Sequence, residues 1–227
     1  MTGVAIGMAL TRARLRGVSG PLVLLLCSGV AFALGVLARR AHADTAADDT
    51  LRVAVFGSSL PVLAYLLCDR VCAGQGLEQC VECVARYGAS RRGALLGVLL
   101  GSALYMGLAS ALLTFCALLG AHATGPALTN DLRVSLGIAF LAGAVYVLWF
   151  SAASRLGRRG GGRKWALVLD FLLGAGASAL AAPWPRGHLR NLLGGAPVLG
   201  LSQPSAWLAL SVIAGVSLLL CFVATPD

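Results

Sequence analysis

Long apolar runs alternate along the chain with short segments that are charged or rich in proline and glycine. The runs lie at about 20–38, 52–68, 93–121, 133–153, 165–183 and 205–224. A membrane-spanning helix needs about 20 mostly apolar residues, so this pattern predicts six transmembrane helices joined by short connections. The second run is the weakest because it is short and contains Pro61, whereas the third is long enough to tilt or to begin at the membrane surface.

The composition narrows the class of protein. Hydrophobic residues make up 58% of the chain, charged residues make up 12%, and the mean hydropathy is +0.84. Soluble domains carry roughly 25% charged residues, so this chain has too few polar side chains to coat a water-soluble globule. We therefore expect residues 1–227 to form one all-α integral membrane domain, with no room for a soluble catalytic domain.

The cationic residues predict the orientation of the spans. The net charge is +9, and with the N-terminus inside, 12 of the 18 lysines and arginines fall on the cytoplasmic side and 6 on the outside. Because cytoplasmic loops collect positive charge, we expect both termini in the cytoplasm of a multi-pass protein of the bacterial inner membrane. Residues 5–17 then form a basic segment at the inner surface. Topology and anionic lipids thus account for the charge, which argues against a nucleic-acid partner.

One charged stretch between the second and third spans has the pattern of an amphipathic helix. It reads GLEQCVECVARYGASRRGALLG and covers residues 76–97. Apolar positions recur at helical spacing on one face, namely Leu77, Cys80, Val81, Val84 and Tyr87. Charged positions follow at i+4 spacing on the other face, namely Glu78, Glu82 and Arg86. The pattern predicts a short helix at about 76–87, flat on the inner leaflet, that Gly88 ends and that precedes a helix capped by Ser90; an ordinary loop is the alternative.

This stretch resembles the segment after the second span of the type-2 ABC exporter permeases. In that family the pattern is roughly Gly-Thr-Leu-Glu, two or three apolar turns, and Ser-Arg before the third span. Here Gly76, Leu77 and Glu78 are followed by Ser90 and Arg91. The six spans, the cytoplasmic termini and the interfacial N-terminal segment match the family layout as well. A haem-exporter-like permease, which shares length and span count, is a close relative of this pattern.

The resemblance implies a function and a partner. Family members use this helix as a coupling helix that docks on a separate ATPase subunit, so the chain is expected to be the permease subunit of an exporter and not itself an enzyme. The residues that match the docking positions are Glu78, Glu82, Arg86 and Arg91. ATP and magnesium are expected on the partner subunit, with no cofactor in this chain. The permease is expected to work in the bilayer as a homodimer or as a pseudo-dimer with a second permease.

Asp170 is the one acidic residue well inside a predicted span. A carboxylate in the hydrocarbon region is costly and is a functional-site candidate by default. It lies five residues after Trp165, about 8 Å into the membrane, from where it can pair with Arg163 or Lys164. Structural pairing and a role in coupling or transport are both open.

The segment 183–204, PWPRGHLRNLLGGAPVLGLSQP, has proline near both ends and a short apolar face at Leu189, Leu192 and Leu193. It predicts one or two short helices that dip into the outer leaflet, a re-entrant element that relatives of the suspected family also have. Together with Asp170 it supports an alternative function from another class, a six-span membrane enzyme or a membrane-complex assembly factor. The sequence lacks the His-Glu-x-x-His and Gly-x-Ser-x-Gly motifs of membrane proteases and esterases.

Four cysteines fall on the predicted cytoplasmic side: Cys68, Cys72, Cys80 and Cys83. Four thiols could bind zinc or an iron–sulfur cluster. Two of them lie on the proposed surface helix, however, and a free cysteine often serves only as a small apolar side chain. The sequence therefore favours no metal in this chain. The segment GRRGGGRKW at 157–165 lacks the Gly-Lys-Ser/Thr order of a phosphate-binding loop, so ATP hydrolysis is expected on another chain.

Overall fold

The computed structural model describes residues 3–17, 19–42, 45–86, 88–122 and 126–223, and this part of the chain is helical without a β-strand. Ten α-helices lie within these ranges. They are α1 (Gly3–Leu15), α2 (Ser19–Ala41), α3 (Ala46–Asp49), α4 (Leu60–Val71), α5 (Leu77–Ala85), α6 (Arg91–His122), α7 (Pro126–Ala153), α8 (Gly162–Leu173), α9 (Pro185–Leu192) and α10 (Gln203–Val223). A π-helical stretch, Thr50–Ser59, joins α3 to α4.

Five helical segments are long and apolar enough to cross a membrane. They are Gly20–Ala41, Ala46–Val71, Arg91–His122, Ala127–Ala153 and Gln203–Val223, with mean hydropathies of 1.7 to 2.4 over their most apolar windows. They coincide with the first, second, third, fourth and sixth predicted spans, and most extend beyond the predicted bounds. The protein is therefore an all-helical, multi-pass membrane protein.

The second span is continuous despite Pro61. Proline lacks an N–H, so it cannot complete the regular α-helical ladder in the middle of a helix. The π-helical stretch ahead of it shifts the register of the backbone hydrogen bonds, and the Leu60 N–H donates to the carbonyl of Val55, five residues back. The predicted span at 52–68 is thus part of a longer rod, Ala46–Val71.

The prediction of a continuous fifth span at 165–183 is wrong. Helix α8 ends at Leu173 after 12 residues, about 18 Å, which is too short for a hydrocarbon core of about 30 Å. Backbone lies so close to Gly174 that an added Cβ would stand 2.5 Å from the Asp170 carbonyl. Beyond it, Pro183 and Pro185 lack the N–H groups that a continuing helix needs.

The predicted short helix in the 183–204 segment is confirmed. It is α9, which begins with Pro185 at its first turn and packs on α10, and a single 3₁₀ turn follows at Val198–Gly200. Leu189 and Leu192 are buried, as their spacing predicted. Arg190 donates to the Ala175 carbonyl at 2.9 Å, which ties α9 back to the connection that leaves α8.

Helix α6 is the central element, and α1 and α2 lie along successive parts of it. Small residues allow the close approach: Gly7 on α1 meets Gly97 on α6, and Gly35 on α2 meets Gly120. Small residues at helix crossings let backbones pack directly, which is how membrane helices associate without a hydrophobic driving force. On its other side α6 packs on α7, where Ser110 Oγ donates to the Ala139 carbonyl at 2.6 Å.

Candidate functional site

The predicted surface helix is present as α5, Leu77–Ala85. Its first turn is capped by its own sequence, because the Gln79 side chain accepts a hydrogen bond from the Gly76 N–H at 3.3 Å. Gly88 has a φ of 83°, the left-handed conformation expected beyond a helix end. Ser90 Oγ then accepts from the Gly93 N–H at 3.2 Å and caps α6, as predicted. Tyr87 lies outside the described residues.

The apolar face of α5 is buried as the helical spacing predicted. Leu77, Cys80 and Val81 are at most 2% exposed and belong to the same core as α4 and α6, while Val84 is half-buried at its edge. Helix α5 therefore sits firmly on the ends of the long helices, and the ordinary-loop alternative does not describe it.

Arg14 joins α1 to this junction. Its guanidinium donates to the Val71 carbonyl at the end of α4, and one of its Nη atoms lies 3.0 Å from Cys80 Sγ in α5. Arg70 Nε returns a hydrogen bond to the Arg14 carbonyl at 3.1 Å. One cation therefore joins the ends of α1 and α4 to α5.

Cys80 has an unusual electrostatic environment because of this contact. A hydrogen bond from the Cys72 thiol, followed by the charge and hydrogen bond of Arg14, lowers the pKa of Cys80 to about 7, against burial, which raises it. The donated proton and burial raise the pKa of Cys72 well above its ordinary value of 9.0. Cys72 thus keeps its proton, while Arg14 stabilises negative charge on Cys80.

Arg163 forms the second anchor and is buried, with 1% of its surface exposed. It donates to the Cys68 carbonyl at 2.7 Å and to the Gln75 carbonyl in the turn before α5. Its guanidinium also lies 3.7 Å from the Asp69 carboxylate. Helix α8 is fixed in this way to both the end of α4 and the entry to α5.

Arg155, just beyond α7, forms the third anchor. It makes an ion pair with Glu78 on α5 and donates to the Leu220 carbonyl near the end of α10. Glu78 was predicted from the resemblance to dock a partner; in this structure its carboxylate binds Arg155.

The outer face of α5 borders an open depression of about 640 Å³. Its walls are the exposed side of α5 with Gln79, Glu82 and Arg86, the turn at 73–75, and Arg159 from the connection between α7 and α8. Glu82 and Arg86 pair with each other at 3.2 Å, so the predicted i+4 pair is confirmed. Arg91 is exposed at the start of α6.

The four cysteines do not all converge on one point. Within the described ranges no three histidine, cysteine, aspartate or glutamate side chains lie close enough to hold a metal ion. Cys68, Cys72 and Cys80 are buried near the junction, whereas Cys83 is exposed on the outer side of α5.

Asp170 has partners other than the expected Arg163 or Lys164. It is fully buried, and its carboxylate accepts the Tyr146 hydroxyl at 2.9 Å and the Arg186 N–H at 3.4 Å. The expected pairing is wrong because Arg163 points instead toward α4 and the turn before α5. Asp170 therefore joins α8 to α7 and to the first turn of α9, at the point where the fifth predicted span breaks.

The three anchoring arginines were missed as a set by the sequence. Arg14 and Arg155 were counted there only as positive charges that orient the chain, and Arg163 was considered otherwise only as a partner of Asp170. The sequence does place an arginine beside each of these helix ends. Their partners lie 56 to 95 positions away, however, and the local spacing of residues does not predict contacts over such distances. No protein-family model matches the chain, and no curated protein shows significant similarity to it.

Proposed function

We propose that the chain is the membrane-spanning subunit of an ATP-binding-cassette exporter, driven by a separate cytoplasmic ATPase subunit. The observation that carries the proposal is the division of α5 between two roles. Arg14, Arg155 and Arg163 tie α5 and the turn before it to α1, α4, α7, α8 and α10, while the outer side of α5 borders an open polar depression. A force applied to the outer side would reach most of the membrane helices without passing through a flexible loop.

In this proposal the face that carries α5 is cytoplasmic. Helices α8 and α9 together make the remaining crossing, so that the chain crosses the membrane six times with a break at Gly174–Trp184. Glu82, Arg86 and Arg91 are the docking residues, together with Gln79, whereas Glu78 positions the helix through Arg155. Two copies, or this chain and a second permease, form the pathway in the inner membrane, and ATP and magnesium bind to the partner.

The first test reverses charge on the outer side of α5. Glu82→Lys places a cation where the partner is expected to present a complementary group, and like charges across an interface cost several kcal/mol. The double variant Glu82→Lys with Arg86→Glu restores the internal ion pair but keeps the surface pattern reversed. The readout is the magnesium-dependent ATP hydrolysis that co-purifies with the tagged chain from its host membranes. We expect both variants to reduce this activity at least about tenfold.

Asn130→Lys, exposed on α7 near its first turn, is the matched control and should retain that activity. If the double variant recovers full activity, Glu82 and Arg86 only stabilise α5. Equal recovery from all variants would remove the docking assignment.

A membrane enzyme or assembly factor is the second candidate, favoured by the buried cluster of Asp170, Tyr146 and Arg186. Asp170→Asn separates the two functions, because the amide oxygen can accept from the Arg186 N–H and the amide nitrogen can donate to the Tyr146 hydroxyl, but the side chain cannot exchange a proton. In an exporter with a structural Asp170 we expect ATP hydrolysis and assembly within about twofold of wild type, since a buried charge is removed while both neighbouring groups keep a hydrogen-bond partner. Loss of activity in a fully assembled variant would give Asp170 a working role.

A further inference from the structure

A long apolar groove runs between the last turns of α7, helix α8 and the second half of α10. Its volume is about 930 Å³, in the upper range of small-molecule sites. Its wall on α10 extends from Val212 to Val223, which corresponds to roughly 16 Å at the helical rise. That length is about half of a 30 Å hydrocarbon core, so the groove has the depth of one leaflet, on the face that carries α5.

The groove opens sideways into the bilayer. Val212 and Val216, which line it from α10, are 56% and 50% exposed. Leu156 and Trp165 stand at its end beside the α7–α8 connection and are 70% and 69% exposed. These side chains present apolar surface to lipid, and Trp165 has the position that tryptophan favours at the membrane–water interface.

The end of the groove at the membrane surface is positively charged. Arg155 lines it, and the connection from 155 to 164 adds the exposed Lys164 and no acidic residue. Basic segments at a membrane surface attract anionic lipids. The charge at this end of the groove therefore complements a phosphate headgroup, while the apolar part of the groove complements an acyl chain.

Two indole groups lie deeper in the groove. Trp149 and Trp184 make an edge-to-face pair with centroids 5.6 Å apart, and the Nε1 atom of each is buried without a hydrogen-bond partner. Trp149 precedes Arg155 by six residues, about 9 Å along the helix axis. In a phospholipid the ester carbonyls follow the phosphate at this side of the leaflet, so they are the acceptors that a small turn of either ring would reach.

We propose that this groove binds one anionic phospholipid from the leaflet on the α5 face. Its phosphate lies at Arg155, its ester carbonyls face Trp149 and Trp184, and its acyl chain lies along Val212 and Val216. Because Arg155 also pairs with Glu78, the headgroup contacts the anchor of α5 directly. The site goes beyond the exporter function and does not depend on it.

Native mass spectrometry of the purified full chain in detergent tests the proposal. The probes are phosphatidylglycerol and phosphatidylcholine with identical acyl chains, added at equal concentration. We expect one tightly retained lipid per chain. Phosphatidylglycerol should be preferred about fivefold, because one arginine contact with an anionic lipid contributes about 1 kcal/mol. Arg155→Gln should abolish the preference and leave retention of either lipid measurable.

A matched pair of variants tests the location. Val212→Phe with Val216→Phe fills the groove from exposed positions, so the fold should tolerate it, and retention should fall at least tenfold. Leu208→Phe with Leu219→Phe places the same two aromatic side chains at exposed positions of α10 outside the groove and should leave retention unchanged. Unchanged retention in the groove variant, or no retained lipid in the wild type, would overturn the proposal. So would loss of a dimer in the groove variant without loss of lipid, since the groove would then be covered by a second copy. None of these readouts involves the ATPase subunit.

Discussion

At the scale of single residues, three guanidinium groups determine how α5 is held. Arg14, Arg155 and Arg163 each bind the α5 region on one side and the end of a membrane helix on the other. Arginine suits this position because its charge persists at any physiological pH and its planar fork can donate in several directions. Removing one of them would leave buried carbonyls or a carboxylate without a partner, and such losses are among the costliest single changes.

Because of the Cys80–Arg14 contact, we expect the free energy of unfolding to depend on pH. The pKa of Cys80 is about 7 in the folded protein, below the ordinary 9.0 expected for the unfolded chain. As the pH rises, Cys80 therefore loses its proton in the folded protein before it does so in the unfolded chain. The free energy by which the Cys80 thiolate stabilises the fold is fully present above about pH 9 and is lost as the pH falls through 7. Cys72, whose pKa is raised, keeps its proton in the folded state over that window, so its contribution opposes that of Cys80 only as the pH approaches 9.0, the value expected for its unfolded thiol.

We expect the thermal midpoint of the wild type to rise between pH 7 and pH 9 relative to that of Cys80→Ala. The contribution is about 3 kcal/mol at most, from two pKa units at about 1.4 kcal/mol each. Thermal unfolding in detergent, followed by circular dichroism for both proteins across the window, measures the difference. Parallel pH profiles would mean that Arg14 does not stabilise a thiolate at Cys80.

At the scale of helices, α5 depends on its neighbours. A helix of nine residues is marginal in water on its own, because nucleation costs more than so few hydrogen bonds return. The free energy that stabilises α5 comes instead from burial of its apolar face, Leu77, Cys80 and Val81, and from the three arginine anchors. The position of α5 is therefore set by α1, α4 and α6, which makes the packing of α1 on α6 important for the site.

The crossing of α1 and α6 leaves no room for side chains at its glycines. A Cβ on Gly97 would overlap the Val4 carbonyl, and backbone atoms cannot move aside as a flexible side chain can. We expect Gly97→Leu to separate α1 from α6 and to lower the thermal midpoint by several degrees or to abolish folded yield. Gly137→Leu on α7, where an added Cβ meets nothing within 4 Å, should be close to wild type. Equal effects of the two substitutions, measured by folded yield on size-exclusion chromatography, would contradict this packing.

The sequence predicted helices well where one physical signal dominates. Length and apolarity located five long helices, and the spacing of Leu77, Cys80 and Val81 located α5 and its buried face. The break after Leu173 was missed because 165–183 is as apolar as a true span, and hydropathy does not register how closely Gly174 approaches Arg186 and Asp170. The partners of Asp170 were missed for a related reason, since Tyr146 and Arg186 reach it through the tertiary fold.

At the scale of the whole molecule, the two ends of the helical bundle differ in structure and in charge. One end gathers α5, the three arginine anchors and the basic connection from 155 to 164. The other end carries short connections such as the one between α6 and α7, where His122 lies 2.7 Å from Asp131. The proposed exporter subunit would need this asymmetry, because only its cytoplasmic end would meet the ATPase, and positive charge at the α5 end is typical of a cytoplasmic end.

Site-specific photo-crosslinking in intact host cells tests the central claim most directly. A benzophenone amino acid at Gln79, exposed on the outer side of α5, probes what lies against the depression, and one at Asn130, exposed near the start of α7, is the matched control at the other end. The exporter account predicts that Gln79 captures a nucleotide-binding ATPase subunit, identified by mass spectrometry of the adduct, and that Asn130 does not. Capture of the ATPase from Asn130, or a folded and membrane-inserted Gln79 variant that captures no ATPase, would contradict it.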